Sequence, residues 1–471
     1  MKTLSTIFGQ PSTMRLRVLL FLLLWFAYGA AINSNNLLDF DLQQIGVEAL
    51  VERGHFYLEG STSPQLQTKG DVFEYNGHKY AAKQPGQFIA GSIVYFLLHK
   101  LGLSYVNHYL LTAALVTFFT TSLVLAASGV ALFALAREMA AHGRGLFWPL
   151  AATISYTLAT TTFAYSGIAH HDVLATGYLV IAFYFIFQLS RASVNERTSY
   201  LYSGGAGLLL GLTITTSMLP FFMVILCVVY SLSLRRWKLQ PVFLIGLLAG
   251  LLPLFIYDAV SFGNPLRLAN TAGARVFDDT FWHFNPNNLG NKLVLYARAL
   301  VAYVPVFAAG VFGLSYYPRW IKRNPEFLTL VGVMIVLAAF IFNINSDGDC
   351  QFGPRYLLPA MPFACLGISG YSYLSRFFER KLAALAVVAT AAVSFVVNLV
   401  GALGGAMSCP HGQNAFWTQF VALRQSHTRS YPLAAWLILP LLTCMIVFVL
   451  NLFASQRAGT SLPAQSQARH S

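Results

Sequence analysis

The sequence predicts an all-α polytopic membrane protein with about twelve transmembrane helices. Of the 471 residues, 56% are hydrophobic and 10% are charged, and the mean hydropathy is +0.60. Because about 20 apolar residues cross a bilayer as a helix, long apolar runs can be counted as spans. These runs are 16–33, 108–136, 147–163, 172–189, 201–215, 216–233, 241–258, 295–316, 326–343, 356–374, 382–403 and 433–454.

Basic residues concentrate in alternate short loops. Positive residues near helix ends resist translocation, so these loops and both termini are predicted to face the cytoplasm. That side then carries 18 of the 30 Lys and Arg residues but only 4 of the 17 Asp and Glu residues. The formal charge of +13 therefore indicates membrane topology and not nucleic-acid binding.

The N-terminal residues allow two interpretations. Arg15 and Arg17 precede an apolar stretch that ends in Gly29-Ala30-Ala31, as in a cleaved signal peptide. A retained first helix is favoured, because an even number of spans puts both basic termini on the same side. We expect one membrane domain over 1–454 and a polar, disordered cytoplasmic tail over 455–471.

The long connecting segments all fall on the predicted outer side, at 34–107, 259–294, 344–355 and 404–432. Long loops on a rigid scaffold often carry function, so the working face is expected outside. The first outer loop, 34–107, should contain two interfacial helices. One covers 38–53 and stops at Gly54, with one apolar and one polar face, and the other covers 86–103 after Pro85.

Two acidic residues follow the first span directly, in Asp39-Phe40-Asp41. Residues two apart on a helix point to opposite sides, so we expect only Asp39 to face a pocket. A carboxylate there could act as a general base, with Asp41 beside the pocket. The alternative is that Asp39 caps the surface helix.

A lysine lies near a predicted helix start in the segment Tyr80-Ala-Ala-Lys83-Gln-Pro-Gly86. Backbone N–H groups at a helix N-terminus favour anions, so Lys83 could hold a phosphate, with Tyr80 nearby. A lysine that only snorkels to the membrane surface would look similar.

An arginine opens the tenth span in Gly353-Pro-Arg355-Tyr356. The guanidinium fork suits a phosphate or a carboxylate. Arg355 could therefore hold the same phosphate as Lys83, or could pair internally with Asp347 or Asp349.

Other candidate pocket residues lie in two outer turns. His170-His171-Asp172 would need more ligands to bind a metal, and a solvated turn in which Asp172 caps the next helix is favoured. Asp258 and Arg267 flank a second turn, Phe262-Gly-Asn-Pro265.

Two of the five cysteines, Cys350 and Cys409, fall in outer loops, where an oxidising environment permits a disulfide between them. The other three, Cys227, Cys365 and Cys444, lie inside predicted spans and are expected to be packing residues.

Taken together, these motifs resemble the C-type integral-membrane glycosyltransferases, the superfamily of protein O-mannosyltransferases and lipid A aminoarabinose transferases. The resemblance covers most of the chain. It consists of an acidic residue after the first helix, the Tyr-x-x-Lys-x-Pro-Gly motif, the Phe-Gly-x-Pro loop and the Gly-Pro-Arg-Tyr-Leu-x-Pro helix start.

The resemblance implies that Asp39 is the catalytic carboxylate and that Lys83 contacts the donor phosphate, with Arg355 a further phosphate ligand by position. The aminoarabinose enzymes place a Glu directly before that lysine, whereas this chain has Ala82. We therefore expect no obligatory metal or other cofactor, although a divalent metal stays possible.

The expected function is transfer of a sugar from a polyprenyl-phosphate donor to an extracytoplasmic glycolipid, polysaccharide or protein, in a bacterial inner membrane. No nucleic-acid partner is expected. The alternative is a transporter or flippase for a lipid-linked or anionic solute. Transporters usually carry ionisable residues near the bilayer midplane, whereas here the charged candidates gather at one surface.

Overall fold

The computed structural model describes residues 13–67, 70–191, 195–273, 286–344, 351–407, 414–425 and 429–460. Within these ranges the chain is largely helical and contains one two-stranded antiparallel sheet.

The α-helices, numbered in chain order, are α1 Thr13–Ala31, α2 Ser34–Asp39, α3 Leu42–Glu48, α4 Gly86–Lys100, α5 Tyr105–Thr117, α6 Leu123–Met139, α7 Phe147–Leu158, α8 Thr161–Tyr165, α9 His171–Leu189, α10 Glu196–Thr216, α11 Phe221–Ser233, α12 Gln240–Phe262, α13 Ala269–Ala272, α14 Leu289–Tyr303, α15 Val306–Gly313, α16 Arg319–Lys322, α17 Pro325–Asn343, α18 Met361–Leu366, α19 Phe377–Gly404, α20 Ala415–Gln425 and α21 Ala434–Thr460. The strands are β1 Val72–Tyr75 and β2 His78–Ala81.

In the described part of the chain, seven helices are long and apolar enough to cross a membrane. They are α1, the continuous α5–α6 segment, α9, α12, α17, α19 and α21. Helices α14 and α15 would form an eighth span that is bent by 105°. The chain is therefore an integral membrane protein, and its predicted apolar runs are mainly helical.

Three of the predicted spans are interrupted. The run 147–163 breaks before Thr160, which caps α8, and the run 295–316 breaks at Pro305. The run 356–374 is mostly 3₁₀-helical around the short α18. Pro359 and Pro362 account for this, because proline lacks the N–H that a regular helix interior requires.

Glycines allow the closest helix packing in the structure. A Cβ added at Gly207 of α10 would lie 2.0 Å from the carbonyl oxygen of Phe243 in α12, and one added at Gly211 would lie 2.3 Å from that of Leu247. Small residues at such contacts let two backbones approach inside a membrane. This packing holds α10 and α12 together beside the first outer loop.

The first outer loop differs from the expected surface helix. The predicted helix over 38–53 is divided into α2 and α3, then continues as a π-helical turn that ends at Gly54 (φ +73°). Its polar face points inward, because Gln44 and Glu48 are fully buried. Glu48 accepts hydrogen bonds from Arg53 at 2.9 Å and from the hydroxyl of Ser61 at 3.0 Å.

A β-hairpin precedes α4, and we did not predict it. Val72 pairs with Ala81, and the strands are joined by Asn76-Gly77, both with positive φ. Asn-Gly between alternating apolar residues is a strong hairpin signal, so the sequence contained the information. The hairpin ends directly before the motif with Lys83.

The last helix, α21, continues to Thr460. The first residues of the predicted tail 455–471 are therefore helical and not disordered, and the rest of the tail lies outside the described residues.

The close packing of α10 on α12 predicts different effects on stability for two Gly→Ala substitutions. Gly211→Ala should lower the melting temperature in detergent, because its Cβ would collide with the α12 backbone. Gly290→Ala on α14 meets nothing within 4 Å, so it should be neutral or stabilising by up to about 1 kcal/mol through helix propensity. Equal effects in a thermal unfolding assay would contradict this packing.

Candidate active site

A buried cluster of ionisable side chains lies at the start of α9. His170, His171 and Asp172 are all buried there. The backbone is extended at His170, and its Nδ1 accepts the backbone N–H of Asp172 at 3.2 Å, which caps the helix. The expected solvated turn capped by Asp172 is therefore wrong, because His170 is the cap and the overlying first loop excludes solvent.

Asp172 connects this cluster to the break between α10 and α11. Its Oδ1 accepts a 2.6 Å hydrogen bond from the hydroxyl of Ser217 and lies 3.4 Å from His171 Nε2. Its Oδ2 has no hydrogen-bond partner among the described residues. One ligand atom from each of His170, His171 and Asp172 lies within 4.8 Å of the others. Two imidazoles and a carboxylate form a donor set that suits zinc.

Stacked rings join the first outer loop to this cluster. Phe40 stacks on His170 with ring centres 5.2 Å apart, and His170 stacks on His171 at 4.5 Å. Gln43 places its amide nitrogen 3.5 Å from His171 Nδ1. Sequence reasoning missed Gln43 and Ser217, and the only available signal for Gln43 was the polar run that follows Asp39.

Arg355 reaches the same cluster from a distant part of the chain. Its side chain is only 8% exposed, and its Nη1 lies 3.4 Å from His170 Nε2. The Nε has no hydrogen-bond partner among the described residues. The guanidinium lies over the ring of Tyr356 at 4.9 Å. The alternative partners Asp347 and Asp349 lie outside the described residues.

The charges of Arg355 and Lys83 both act on the histidines. Burial lowers the pKa of His170 well below its usual value, and the His171 ring and the charges of Arg355 and Lys83 lower it further against the opposing effect of Asp172. His170 is therefore neutral at pH 7. The positive charge of the site resides on the arginine and the lysine.

Lys83 forms an ion pair that we did not expect. Its Nζ lies 3.0 Å from Oδ2 of Asp71, with the two side chains 19% and 46% exposed. A partly exposed ion pair of this kind contributes little stability. The lysine does not simply extend to the membrane surface.

Gly86 has a steric role beside Lys83. A Cβ at this position would lie 2.3 Å from the hydroxyl oxygen and 2.6 Å from Cα of Thr216, at the end of α10. Glycine therefore lets the N-terminus of α4 rest against the same helix break that supplies Ser217.

The two aspartates of the first loop are oriented differently from the expectation. Asp41 is the buried one, at 2% exposure, and its Oδ2 accepts the backbone N–H of Gln67 at 3.1 Å. Asp39 is exposed at the end of α2, where its charge acts on Arg429. The two do occupy opposite environments, and Asp39 is the one open to solvent, directly beside Phe40.

Of the three other candidates, Tyr80 and Arg267 contact residues at the hairpin, and Asp258 lies in α12. Tyr80 is buried against Phe262, with ring centres 5.2 Å apart. The exposed Arg267 donates a 2.5 Å hydrogen bond to the hydroxyl of Tyr75. Asp258 is buried in α12, and neither carboxylate oxygen has a hydrogen-bond partner among the described residues. The structure thus joins Lys83 and Arg355 to the histidines, and Tyr80 and Arg267 to the hairpin.

The possible disulfide between Cys350 and Cys409 involves two residues that lie outside the described ranges. Cys227, Cys365 and Cys444 are free, and the first two are buried, in agreement with a packing role.

No family model and no curated protein matches this chain. Several solved structures do match this chain. The apo ArnT from Cupriavidus metallidurans aligns with 93% of this chain and 72% of its own at 16% identity, with a TM-score of 0.52. The Archaeoglobus fulgidus oligosaccharyltransferase tethered to an acceptor peptide aligns with 90% of this chain and 58% of its own at 13% identity, with a TM-score of 0.51.

ArnT is a lipid A aminoarabinose transferase, and both structures are C-type integral-membrane glycosyltransferases. At these identities the likeness establishes the fold. The chain therefore shares the fold of these two structures, in agreement with the predicted resemblance to the C-type integral-membrane glycosyltransferases.

Proposed function

We propose that the protein transfers a sugar from a polyprenyl-phosphate donor to an extracytoplasmic acceptor. The observation that carries this proposal is the buried guanidinium of Arg355, which makes no salt bridge among the described residues and feels the charge of Asp172 only from beyond 4 Å. Its charge and that of Lys83 both act on the histidine cluster. A buried cation is costly unless an anion accompanies it. A donor phosphate would supply that anion.

The arrangement suits a phosphate leaving group. Arginine offers a planar fork of donors and lysine a compact charge, and both form strong hydrogen bonds to phosphate oxygens. When the bond between the sugar and the phosphate breaks, negative charge grows on the phosphate. Fixed cations near that position stabilise the transition state more than the ground state.

The acceptor hydroxyl requires a base, and we assign this role to Asp39. The hydroxyl oxygen attacks the anomeric carbon, its proton passes to the Asp39 carboxylate, and the lipid phosphate departs with the bonding electrons. Asp39 is open to solvent, as a group that meets an incoming acceptor should be. A single carboxylate acting in this way favours direct displacement with inversion.

A lipid-linked donor also fits the position of the site. It lies beside apolar helices, and the sequence has no glycine-rich phosphate loop after a strand that would indicate a nucleotide sugar. The proposal also includes a bacterial inner membrane, about twelve spans, both termini cytoplasmic and the site outside, in one membrane domain whose last helix continues to Thr460. The acceptor is a glycolipid, a polysaccharide or a protein. The related oligosaccharyltransferase structure holds an acceptor peptide.

The first test is transfer of radiolabelled sugar from a panel of polyprenyl-phosphate sugars into membrane extract by the purified protein. Lys83→Ala and Arg355→Gln should each lower transfer by about 10²-fold or more, because each removes a charge from the leaving phosphate. The matched control is Lys79→Ala on the exposed hairpin strand, which should keep wild-type activity.

Melting temperatures of all variants must accompany this assay, because Arg355 is buried. If the wild type binds donors without transferring sugar, or if both variants keep full activity, the assignment fails. Donor movement across liposomes without transfer would instead favour the flippase alternative.

The two first-loop aspartates should separate catalysis from stability. We expect Asp39→Asn to lower transfer by about 10² to 10⁴-fold without a change in melting temperature, as loss of a general base does. Asp41→Asn should lower the melting temperature, because it weakens the buried hydrogen bond to the Gln67 backbone. Full transfer by Asp39→Asn, with loss in a stable Asp41→Asn, would make Asp41 the base.

We propose that transfer needs no obligatory metal, because Ala82 replaces the Glu that precedes the lysine in the aminoarabinose enzymes. Activity should therefore survive dialysis against EDTA. The cluster of His170, His171 and Asp172 makes the test informative. Loss of activity on chelation, with metal bound to the wild type but not to Asp172→Asn by elemental analysis, would identify the cluster as a metal site.

A further inference from the structure

An apolar recess lies at the end of the helix bundle that is remote from the histidine cluster. Helix α7 begins at this far face and runs toward the turn that leads to His170. Between α7, α19 and α21 lies a cleft of about 760 Å³, a volume within the usual range for ligand sites. Its apolar lining includes Phe147, Leu150, Ile154, Val388, Ala391 and Leu452.

Three cations surround the mouth of this cleft. A smaller adjoining cavity of about 250 Å³ is lined by Arg144, Arg380 and Lys381, and it shares Arg144 and Phe147 with the apolar cleft. Within the described ranges, none of these three cations makes an ion pair. The neighbouring Glu379 pairs instead with Arg376, at 3.0 Å.

The loop that carries Arg144 has a defined backbone conformation and a hydrogen bond to a neighbouring segment. Arg144 lies between Gly143 and Gly145, which have φ of +75° and +72°, a conformation that glycine adopts without strain. The same loop is tied to the segment before α19, because the backbone N–H of Ala141 donates to the hydroxyl of Ser372 at 2.8 Å. These contacts keep Arg144 opposite the start of α19.

The start of α19 presents the other two cations. The ring of Phe377 lies beneath both, 4.4 Å from Lys381 Nζ and 6.0 Å from the centre of the Arg380 guanidinium. Cation–π contacts of this kind orient the charged groups without neutralising them.

The depth of the cleft matches one membrane leaflet. At 1.5 Å per residue, its lining extends about 12 Å along α7 from Phe147 to Ser155 and about 15 Å along α19 from Lys381 to Ala391. Half of a typical hydrocarbon core is about 15 Å. A charged mouth at headgroup level above an apolar groove one leaflet deep has the dimensions of a phospholipid.

We propose that this cleft binds an anionic diacyl phospholipid from the leaflet on the side of the basic loops. The acyl chains lie along α7, α19 and α21, and the phosphate-bearing headgroup meets Arg144, Arg380 and Lys381. Basic pockets between transmembrane helices recognise anionic headgroups in this way. A zwitterionic lipid would fill the groove equally well but would gain less from the three cations.

The test measures lipid binding to the full-length protein in detergent by native mass spectrometry, with phosphatidylglycerol and phosphatidylcholine of equal chain length. The wild type should bind phosphatidylglycerol about tenfold or more tightly than phosphatidylcholine. The variant Arg144→Gln/Arg380→Gln/Lys381→Gln should lose that preference. Ala391→Trp, which fills the groove, should weaken binding of both lipids.

The matched control is Arg235→Gln/Lys238→Gln/Arg319→Gln, which removes the same charge from other exposed basic loops and should keep the preference. An equal loss in this control would overturn the proposal, because general surface charge would then explain binding. Displacement of phosphatidylglycerol by inorganic phosphate, or tighter binding of a polyprenyl phosphate, would overturn it as well. Unchanged melting temperatures without lipid exclude misfolding as the cause.

Discussion

The hydrogen bond from Ser217 to the buried Asp172 is the contact on which the site depends. It joins the start of α9 to the break between α10 and α11, and Gly86 lets α4 rest on the same break. Helix α10 is in turn fixed to α12 by glycine contacts too close for any side chain. The motif that carries Lys83 is therefore positioned by the packing of membrane helices.

Burial determines the electrostatics of this site. A buried histidine next to two cations stays neutral, so Arg355 and Lys83 supply the positive charge. Arg355 is almost completely buried, whereas Lys83 is partly open and paired with the more exposed Asp71. Under the proposed function, Arg355 would be a fixed ligand of the donor phosphate and Lys83 an exchangeable one. Asp39 is exposed and lies one residue from the ring that stacks on His170, a position that suits its proposed role as the base.

Arginine and lysine side chains lie at both ends of the helix bundle, but in different surroundings. At one end, the buried Arg355 and the partly exposed Lys83 lie among polar groups beneath the first outer loop, as the proposed transfer chemistry would require. At the other, Arg144 and the cations at the start of α19 border an open apolar groove, as lipid binding requires. The surroundings of the arginine and lysine residues therefore decide whether we interpret them as part of the proposed reaction centre or of the proposed lipid site.

Composition and local pattern alone determined that this is a helical membrane protein and that α4 begins after Pro85, and they nominated Lys83 and Arg355, whose role as phosphate ligands stays a prediction. Hydropathy and turn chemistry act over a few residues, so they can be read directly, as the overlooked Asn-Gly hairpin also could have been. Only the tertiary structure decided that Arg355 meets a histidine 185 positions away and that Asp41, not Asp39, is buried. These outcomes depend on which distant segments cover a side chain, and burial of that kind has no local signature in the chain.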